Sequence, residues 1–512
     1  MIARSGLIAA TVGVFILSMG PVIAQLSVKT PVDGEIIPAT IRTVCVVGPI
    51  AAAITFFAFF LAAALALTKS RLNRYLFVLL IPYLLGPIAG AHVGKVFFSF
   101  LRQLLPDMSF SLVSWLAYVL IQFWQYGGLS TVIFLVAFKS HSYRESSFLS
   151  ETLVSFKYSL YAHYFPATRL LRLLISGLIT ILLFHDTAIS WLVFRASPGT
   201  NTELLANFLQ RTYVTNLSVS ATYAMQIHAV HCGMVICCLV ILIALNYLLQ
   251  YPLFSVFCLL LPRFLSARVV ESAIPAVMLI TCLPLLLPLS AQPSFTAILP
   301  ALKPMLLAVV VALMVTATSV LISTADRYAI GRCRVRDPQL RAMVFSLSPL
   351  LIPVTATVIS AFYLVNLVMP SLRGEFSVAW MISNYVFSLP LILALCVYVS
   401  ATVRQSEIDL FISGLFTYSE ARSLLFFTKY YRDYVLVGVF AFLSSFFNQG
   451  CNRVFGTAFP NFASIYESRL VGRTADLSDS SGFFISSLVL AFILIVGLFV
   501  ATNSNRSLKC SN

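Results

Sequence analysis

Residues 304–324 read PMLLAVVVALMVTATSVLIST and contain no charged residue. A helix that spans a bilayer needs about 20 consecutive, mostly apolar residues, and this run is long enough. Comparable runs recur along the whole chain. The sequence therefore predicts an all-α membrane protein that crosses the bilayer many times.

The overall composition excludes a soluble globular protein. Of the 512 residues, 60% are hydrophobic and only 10% are charged, and the mean hydropathy is +0.95. Soluble domains carry roughly 25% charged residues. The chain has too few polar residues to form a surface that is exposed to water on every side, so we expect the lipid bilayer to cover part of it.

Reading the apolar runs one by one predicts about 12 transmembrane helices. The first run, near residues 5–25, has two interpretations. It is either an uncleaved first span, which its length favours, or a signal peptide that is cut after Val22-Ile23-Ala24. The predicted spans lie near residues 5–25, 43–68, 75–101, 110–138, 172–193, 220–249, 270–290, 304–324, 342–369, 377–401, 433–449 and 481–501.

The positive charges predict the orientation of these spans. With the N-terminus inside and the spans alternating, 22 of the 33 Lys and Arg residues fall in inside segments. Cytoplasmic loops carry an excess of Lys and Arg, so both termini are predicted to be cytoplasmic. The same loops account for the net charge of +15. The sequence contains no basic run interleaved with aromatic residues, so it does not predict nucleic-acid binding.

The two halves of the chain share a layout. Each has a Pro-bearing span after a short basic loop, IPYLLGP at 81–87 and SPLLIP at 348–353, and the offset is about 265 residues. An even number of spans per unit gives two repeats of the same orientation. We predict two tandem six-helix repeats, 1–250 and 269–512, joined by a cytoplasmic linker at 251–268.

Each half also contains a long inside loop, at 139–171 and at 402–432. Parts of these loops, 143–165 and 404–427, alternate polar and apolar residues with helical spacing. Such amphipathic helices either rest on lipid headgroups or dock onto a cytoplasmic partner. The sequence alone leaves both interpretations open.

These loops carry a resemblance to a known family. Glu145-Ser146-Ser147 is followed by Glu151, and Glu407-Ile408-Asp409 leads to Gly414. The pattern resembles the Glu-Ala-Ala…Gly motif in the permease subunit of binding-protein-dependent ABC importers, with two permease domains fused in one chain. Both copies depart from the motif: Glu151 stands where the family has Gly, and the second copy lacks the terminal Leu-Pro.

Two further stretches resemble the sugar-importing permeases of that family. They are FWQYGGL at 123–129 and SPGTNTEL at 197–204. The resemblance implies uptake of a small solute, with a sugar favoured and thiamine or ferric iron as alternatives. It also implies a cytoplasmic ABC ATPase dimer, a periplasmic or extracellular solute-binding protein and a location in the bacterial inner membrane.

The resemblance also implies which residues couple the permease to its ATPase. The first loop would contribute Arg144, Glu145 and Glu151, and the second Glu407, Asp409 and Gly414. The chain has no Gly-x4-Gly-Lys-Ser/Thr phosphate-binding loop, so we expect no ATPase activity of its own. The sequence also shows no pairing of a nucleophile with a base in a defined setting, so it does not predict an enzyme.

Polar residues within spans are the candidates for a solute pathway, because such residues line cavities or pair between helices. They are Gln125, Asn384, Asn448 and His92. We expect no cofactor and no metal: His228, His231 and Cys232 have a spacing that could suit a metal but lack an acidic partner.

Two other classes of protein remain open from the sequence. A secondary transporter driven by an ion gradient would need ionisable residues within the membrane, for which His92, Lys95 and Asp186 come closest. A lipid-acting membrane enzyme would need an acid or His cluster at an interface, which the sequence does not display.

Overall fold

The computed structural model is almost entirely helical over the part of the chain that it describes, and no strand occurs there. That part comprises residues 3–24, 36–67, 76–142, 165–194, 203–217, 221–260, 276–290 except 278, 295–330, 337–372, 375–414, 417, 431–448, 452, 455, 459–471 and 477–503.

The α-helices are numbered here in chain order. Those of the first half are α1 (Ala3–Ile23), α2 (Ile36–Leu67), α3 (Leu76–Leu84), α4 (Pro87–Leu104), α5 (Phe110–Ser142), α6 (Arg169–His185), α7 (Thr187–Phe194), α8 (Leu205–Leu217) and α9 (Ala221–Leu260). Those of the second half are α10 (Leu302–Ile330), α11 (Asp337–Leu347), α12 (Val354–Val368), α13 (Phe376–Ile412), α14 (Tyr431–Phe446), α15 (Phe462–Val471) and α16 (Leu477–Asn503).

Five helical segments are long and apolar enough to cross a membrane, and up to seven if each of two bent helix pairs is one span. All seven overlap predicted spans. Four more predicted spans correspond to apolar helices of 10–17 residues, and the predicted span at 270–290 has a 3-10 helix at Leu283–Ser290. The chain thus has the apolar helices of a membrane protein, while the twelve-span arrangement stays a prediction.

Helix α10 illustrates why lipid is the expected surroundings. One face exposes Leu306, Leu313 and Leu321, each with 66–70% of its side chain accessible, whereas Ala308 and Val315 on the other face are fully buried. Soluble proteins rarely expose a continuous apolar stripe of this size. The exposed stripe is the surface that acyl chains would cover.

The two Pro-bearing segments form sharp bends instead of straight spans. The axes of α3 and α4 differ by 98°, and those of the α11 segment and α12 by 75°. The sequence predicted a Pro-bearing span at each place but not a bend. Pro lacks the N–H that continues a helix, and it disfavours helical geometry in the preceding residue.

The helices of each half pack in a similar order. Helix α2 packs against α5 and α6, and α10 packs against α13 and α14. The bent pair α3–α4 lies on α5, and the pair α11–α12 lies on α13. The halves also cross over, because α1 packs against α10 and α12, and α16 packs against α3 and α4.

Helix α13 continues past the predicted end of its span at residue 401. It ends at Ile412, so the stretch 404–412 belongs to this helix and not to a separate amphipathic helix. Gly414 follows with φ +70°. This is the left-handed conformation in which a glycine commonly ends a helix.

Candidate functional site: a cavity between two broken helices

A cavity of about 110 Å³ lies where the two bent helix pairs meet. Gly86 and Pro87 reach it from the first break, and Leu350 and Val354 reach it from the second. Helices α5, α6, α13 and α14 complete its walls. Non-helical backbone within a membrane is tolerated where it is buried in protein or lines a cavity, and both breaks here meet that condition.

The first break depends on a glycine. Gly86 has φ +79° and ψ 164°, a region open essentially to glycine alone. It also lies directly against the ring of Phe447, which lines the same cavity, and a Cβ at Gly86 would overlap that ring. Pro87 then starts α4 at the position where a missing N–H costs nothing.

The second break is built without a glycine. A short 3-10 turn, Ser348–Leu351, ends at Ile352, whose φ of −74° and ψ of 129° are extended. Pro353 follows with φ −57°, and α12 starts at Val354. These are conformations that ordinary residues adopt readily.

Asp186 places a carboxyl group in the cavity wall at the junction of α6 and α7. Its Oδ2 accepts a hydrogen bond from the Tyr126 hydroxyl at 3.0 Å, and its Oδ1 accepts one from the N–H of Ile189 at 3.3 Å. The second bond makes Asp186 the N-cap of α7. Among the described residues, no Lys or Arg forms a salt bridge with this carboxyl, although only 4% of Asp186 is exposed.

Other polar groups of the cavity come from both halves. His185 Nε2 lies 3.4 Å from the carbonyl oxygen of Leu350, a contact that joins α6 to the second break. On α14, the hydroxyl of Ser444 donates to that of Ser388 at 3.2 Å. Asn448 follows the end of α14 and also lines the cavity.

Aromatic rings make up much of the remaining wall. The rings of Tyr83 and Tyr126 are 6.2 Å apart, and His185 meets Phe387 edge-to-face at 5.7 Å. Phe447 lines the same cavity as these residues and Asp186. The site therefore combines a carboxylate, an amide and a hydroxyl with a mostly aromatic and aliphatic lining.

Only one of the four residues predicted for a solute pathway lines this cavity. That residue is Asn448. His92 lies away from it, where its Nδ1 is 2.8 Å from the hydroxyl of Tyr466 and its ring packs against Phe484. This contact joins α4 to α15 and is the inter-helix pairing that the sequence offered as an alternative.

The two remaining pathway candidates are buried between helices. Gln125 packs against Gly90 of α4, and neither polar atom of its side chain has a hydrogen-bond partner in the part of the chain that the structure describes. Asn384 donates to the carbonyl of Trp380 one turn back at 3.0 Å. Neither residue lines the cavity.

Those predicted ATPase-coupling residues that the structure describes do not line the cavity. Arg144, Glu145 and Glu151 are outside the described residues. Glu407 and Asp409 belong to the extended end of α13, and Gly414 is exposed just beyond it. A Cβ at Gly414 would meet no atom of the described residues within 4 Å, so among them only the backbone conformation favours glycine.

The sequence prediction did not include Asp186 and Tyr126 among the site residues. A signal was present, because Asp186 is one of few ionisable residues inside a predicted span, but nothing in the sequence indicated that α5 brings Tyr126 to it. No group of three or more His, Cys, Asp or Glu side chains suited to a metal occurs within the described ranges. Comparisons of the chain with protein-family models, with curated proteins and with solved structures find no match.

Proposed function

We propose that the chain is the transmembrane permease of an ABC importer, which takes up a small solute through the cavity between its two halves. The observation that carries this proposal is the meeting of both helix breaks at one cavity. Transporters commonly form their solute sites from discontinuous helices at the interface of two repeats. A purely structural bundle would have no need of two such breaks.

The proposal includes two fused six-span repeats of the same orientation. Its support is the parallel packing order of the halves and the position of the breaks, since Gly86 and Pro353 are 267 residues apart. In this arrangement both termini and both long loops face the cytoplasm of a bacterial cell. The crossing of α1 onto the second half would couple the movements of the two repeats.

Separate cytoplasmic ATPases would supply the energy, and a solute-binding protein would deliver the solute. The loops 139–171 and 402–432 are the proposed contacts with the ATPase dimer. The sugar preference rests on the resemblance at 197–204, of which only Glu203 and Leu204 lie among the described residues. There Glu203 forms a salt bridge with Arg211 at 3.0 Å.

The test uses Gly414, which the family pattern and its backbone both single out. We expect Gly414→Glu to lose the ATPase on co-purification, because a side chain in left-handed conformation costs about 1–2 kcal/mol and its charge would alter the proposed dock. Gly414→Asn is the matched control, since Asn tolerates this conformation. In the first loop, Glu151→Gly should be neutral or should improve binding.

The measurement is the amount of ABC ATPase retained by each variant, with the ATP hydrolysis of the purified complex as a second readout. Equal retention by the wild type and Gly414→Glu would remove the docking role of this glycine. Hydrolysis by the chain alone would contradict the proposal as a whole.

A second candidate function is a transporter driven by an ion gradient. The buried carboxyl of Asp186 favours it, because ionisable groups within membranes often bind coupling ions or protons. Reconstituted vesicles that contain only this chain distinguish the two functions. Uptake driven by an imposed ion gradient without any ATPase would support the ion-driven transporter and contradict the ABC permease.

A further inference from the structure

The cavity contains a carboxyl group whose neighbours do not balance its charge. The hydrogen-bond donors that lie against Asp186, among them the Tyr126 hydroxyl and the Ile189 N–H, are neutral. A buried carboxylate without a cation is costly, so such a group is stable when it is protonated or when a cation lies beside it. The positive charge that would balance it can come from a ligand.

We infer that the cavity binds a small organic cation and that Asp186 recognises its charge. The inference rests on the proposed function, because it names a class of solute for the transport cavity, in place of the sugar that the resemblance at 197–204 favours. It assigns to Asp186 a binding role in addition to capping α7.

The small volume of the cavity favours a ligand with few non-hydrogen atoms. Its volume of about 110 Å³ is below the roughly 150 Å³ of a protein cavity that admits benzene. A methylated ammonium ion is within this size range.

The wall has the composition that suits an alkylated cation better than a hydrated metal ion. The rings of Tyr83, Tyr126, Phe387 and Phe447 all reach the cavity. Aromatic faces attract quaternary ammonium groups through cation–π interactions. A metal ion such as Ca²⁺ would instead need six or more oxygen ligands, which these rings do not provide.

The capping role of Asp186 does not require its charge. Asn caps a helix N-terminus about as well as Asp does, and its side-chain oxygen can accept the same bond from the Ile189 N–H. Asp186→Asn therefore removes the charge while it keeps the shape and the cap. This makes the substitution a test of recognition and not of folding.

The experiment measures binding of tetramethylammonium to the purified full-length chain by calorimetry, with tert-butanol as a neutral probe of similar shape and size. We expect the wild type to bind tetramethylammonium in preference to tert-butanol. Asp186→Asn should bind tetramethylammonium at least about tenfold more weakly and should lose the preference. Asp107→Asn is the matched control, because the same change is made at an exposed position between α4 and α5, and it should bind like the wild type.

Several results would overturn the inference. They are no binding of tetramethylammonium to the wild type, a loss of less than about tenfold in Asp186→Asn, or an equal loss in Asp107→Asn. Failure of the proposed function is distinguishable from these results. If the wild type binds the cation through Asp186 but gains no ATP-driven uptake with any ABC ATPase, the ABC proposal fails and the cation site stands.

Discussion

The two helix breaks that meet at the cavity reach similar geometries by different chemistry. The first bends the chain by 98° at Gly86, with a backbone that only glycine adopts, and the Phe447 ring fills the space where a side chain would be. The second bends it by 75° through an extended Ile352 and Pro353. The first break therefore depends on one glycine. The second uses backbone conformations at two residues that many other amino acids can also adopt.

The same contrast extends to the polar groups beside the breaks. Asp186 follows the end of α6 in the first half, and Asn448 follows the end of α14 in the second, and both line the cavity. One end carries a carboxyl and the other an amide. A binding site between two similar halves can thus be polarised, with its negative charge on one side only.

The largest effect is expected for Gly86→Ala. The substitution places a Cβ in a glycine-only backbone region and into the ring of Phe447. Backbone strain and overpacking each cost about 1–3 kcal/mol, so we expect the free energy of unfolding to fall by about 3 kcal/mol or more. Thermal unfolding in detergent measures this, and a variant as stable as the wild type would remove the special role of the first break.

The second largest effect is expected for Gly128→Ala in α5. An added Cβ there would overlap the backbone carbonyl of Leu79, so α3 would have to move away from α5. We expect a loss of about 2 kcal/mol from this overpacking.

Gly127→Ala, one position earlier, is the control for both glycine variants. No atom of the described part of the chain lies within 4 Å of a Cβ at Gly127, and Ala is favoured over Gly in a helix by about 1 kcal/mol. The same thermal measurement should therefore find this variant as stable as the wild type or slightly more so. Equal losses at the two positions would show that α3 does not pack as closely on α5 as described.

The smallest effect is expected for Pro353→Ala at the second break. The backbone of Ile352 and Pro353 is accessible to other residues, so the change mainly gives the unfolded chain more freedom, which costs about 0.4–1 kcal/mol. Unfolding in detergent should show a smaller loss than for Gly86→Ala. A loss equal to or larger than that of Gly86→Ala would reverse the comparison between the breaks.

The apolar helices could be predicted from the sequence because hydropathy over about 20 residues is a local property. The bends could not, since a Pro within an apolar run is compatible with a kinked span as well as a broken one. The end of α13 at Ile412 was missed for a related reason: polar residues from Arg404 onward mark the end of an apolar run but do not stop a helix.

The composition of the cavity depends on contacts between distant parts of the chain. Tyr126 and Asp186 are 60 residues apart, and Gly86 and Phe447 lie in different halves. Single polar residues such as His92 and Asn448 look alike in the sequence. Packing alone decides that one pairs with Tyr466 and the other lines the cavity.

The central claim is that the cavity is the solute path, and access to Ser444 tests it most directly. Ser444→Cys would be made in a variant without the 10 native cysteines and treated with a membrane-impermeant maleimide in right-side-out and inside-out vesicles. Leu313→Cys on the exposed apolar face of α10 is the control and should stay unlabelled. The account predicts that Ser444→Cys is labelled from both sides of the membrane, in proportions that ATP changes when the ATPase is bound; protection from both sides under all conditions would contradict it.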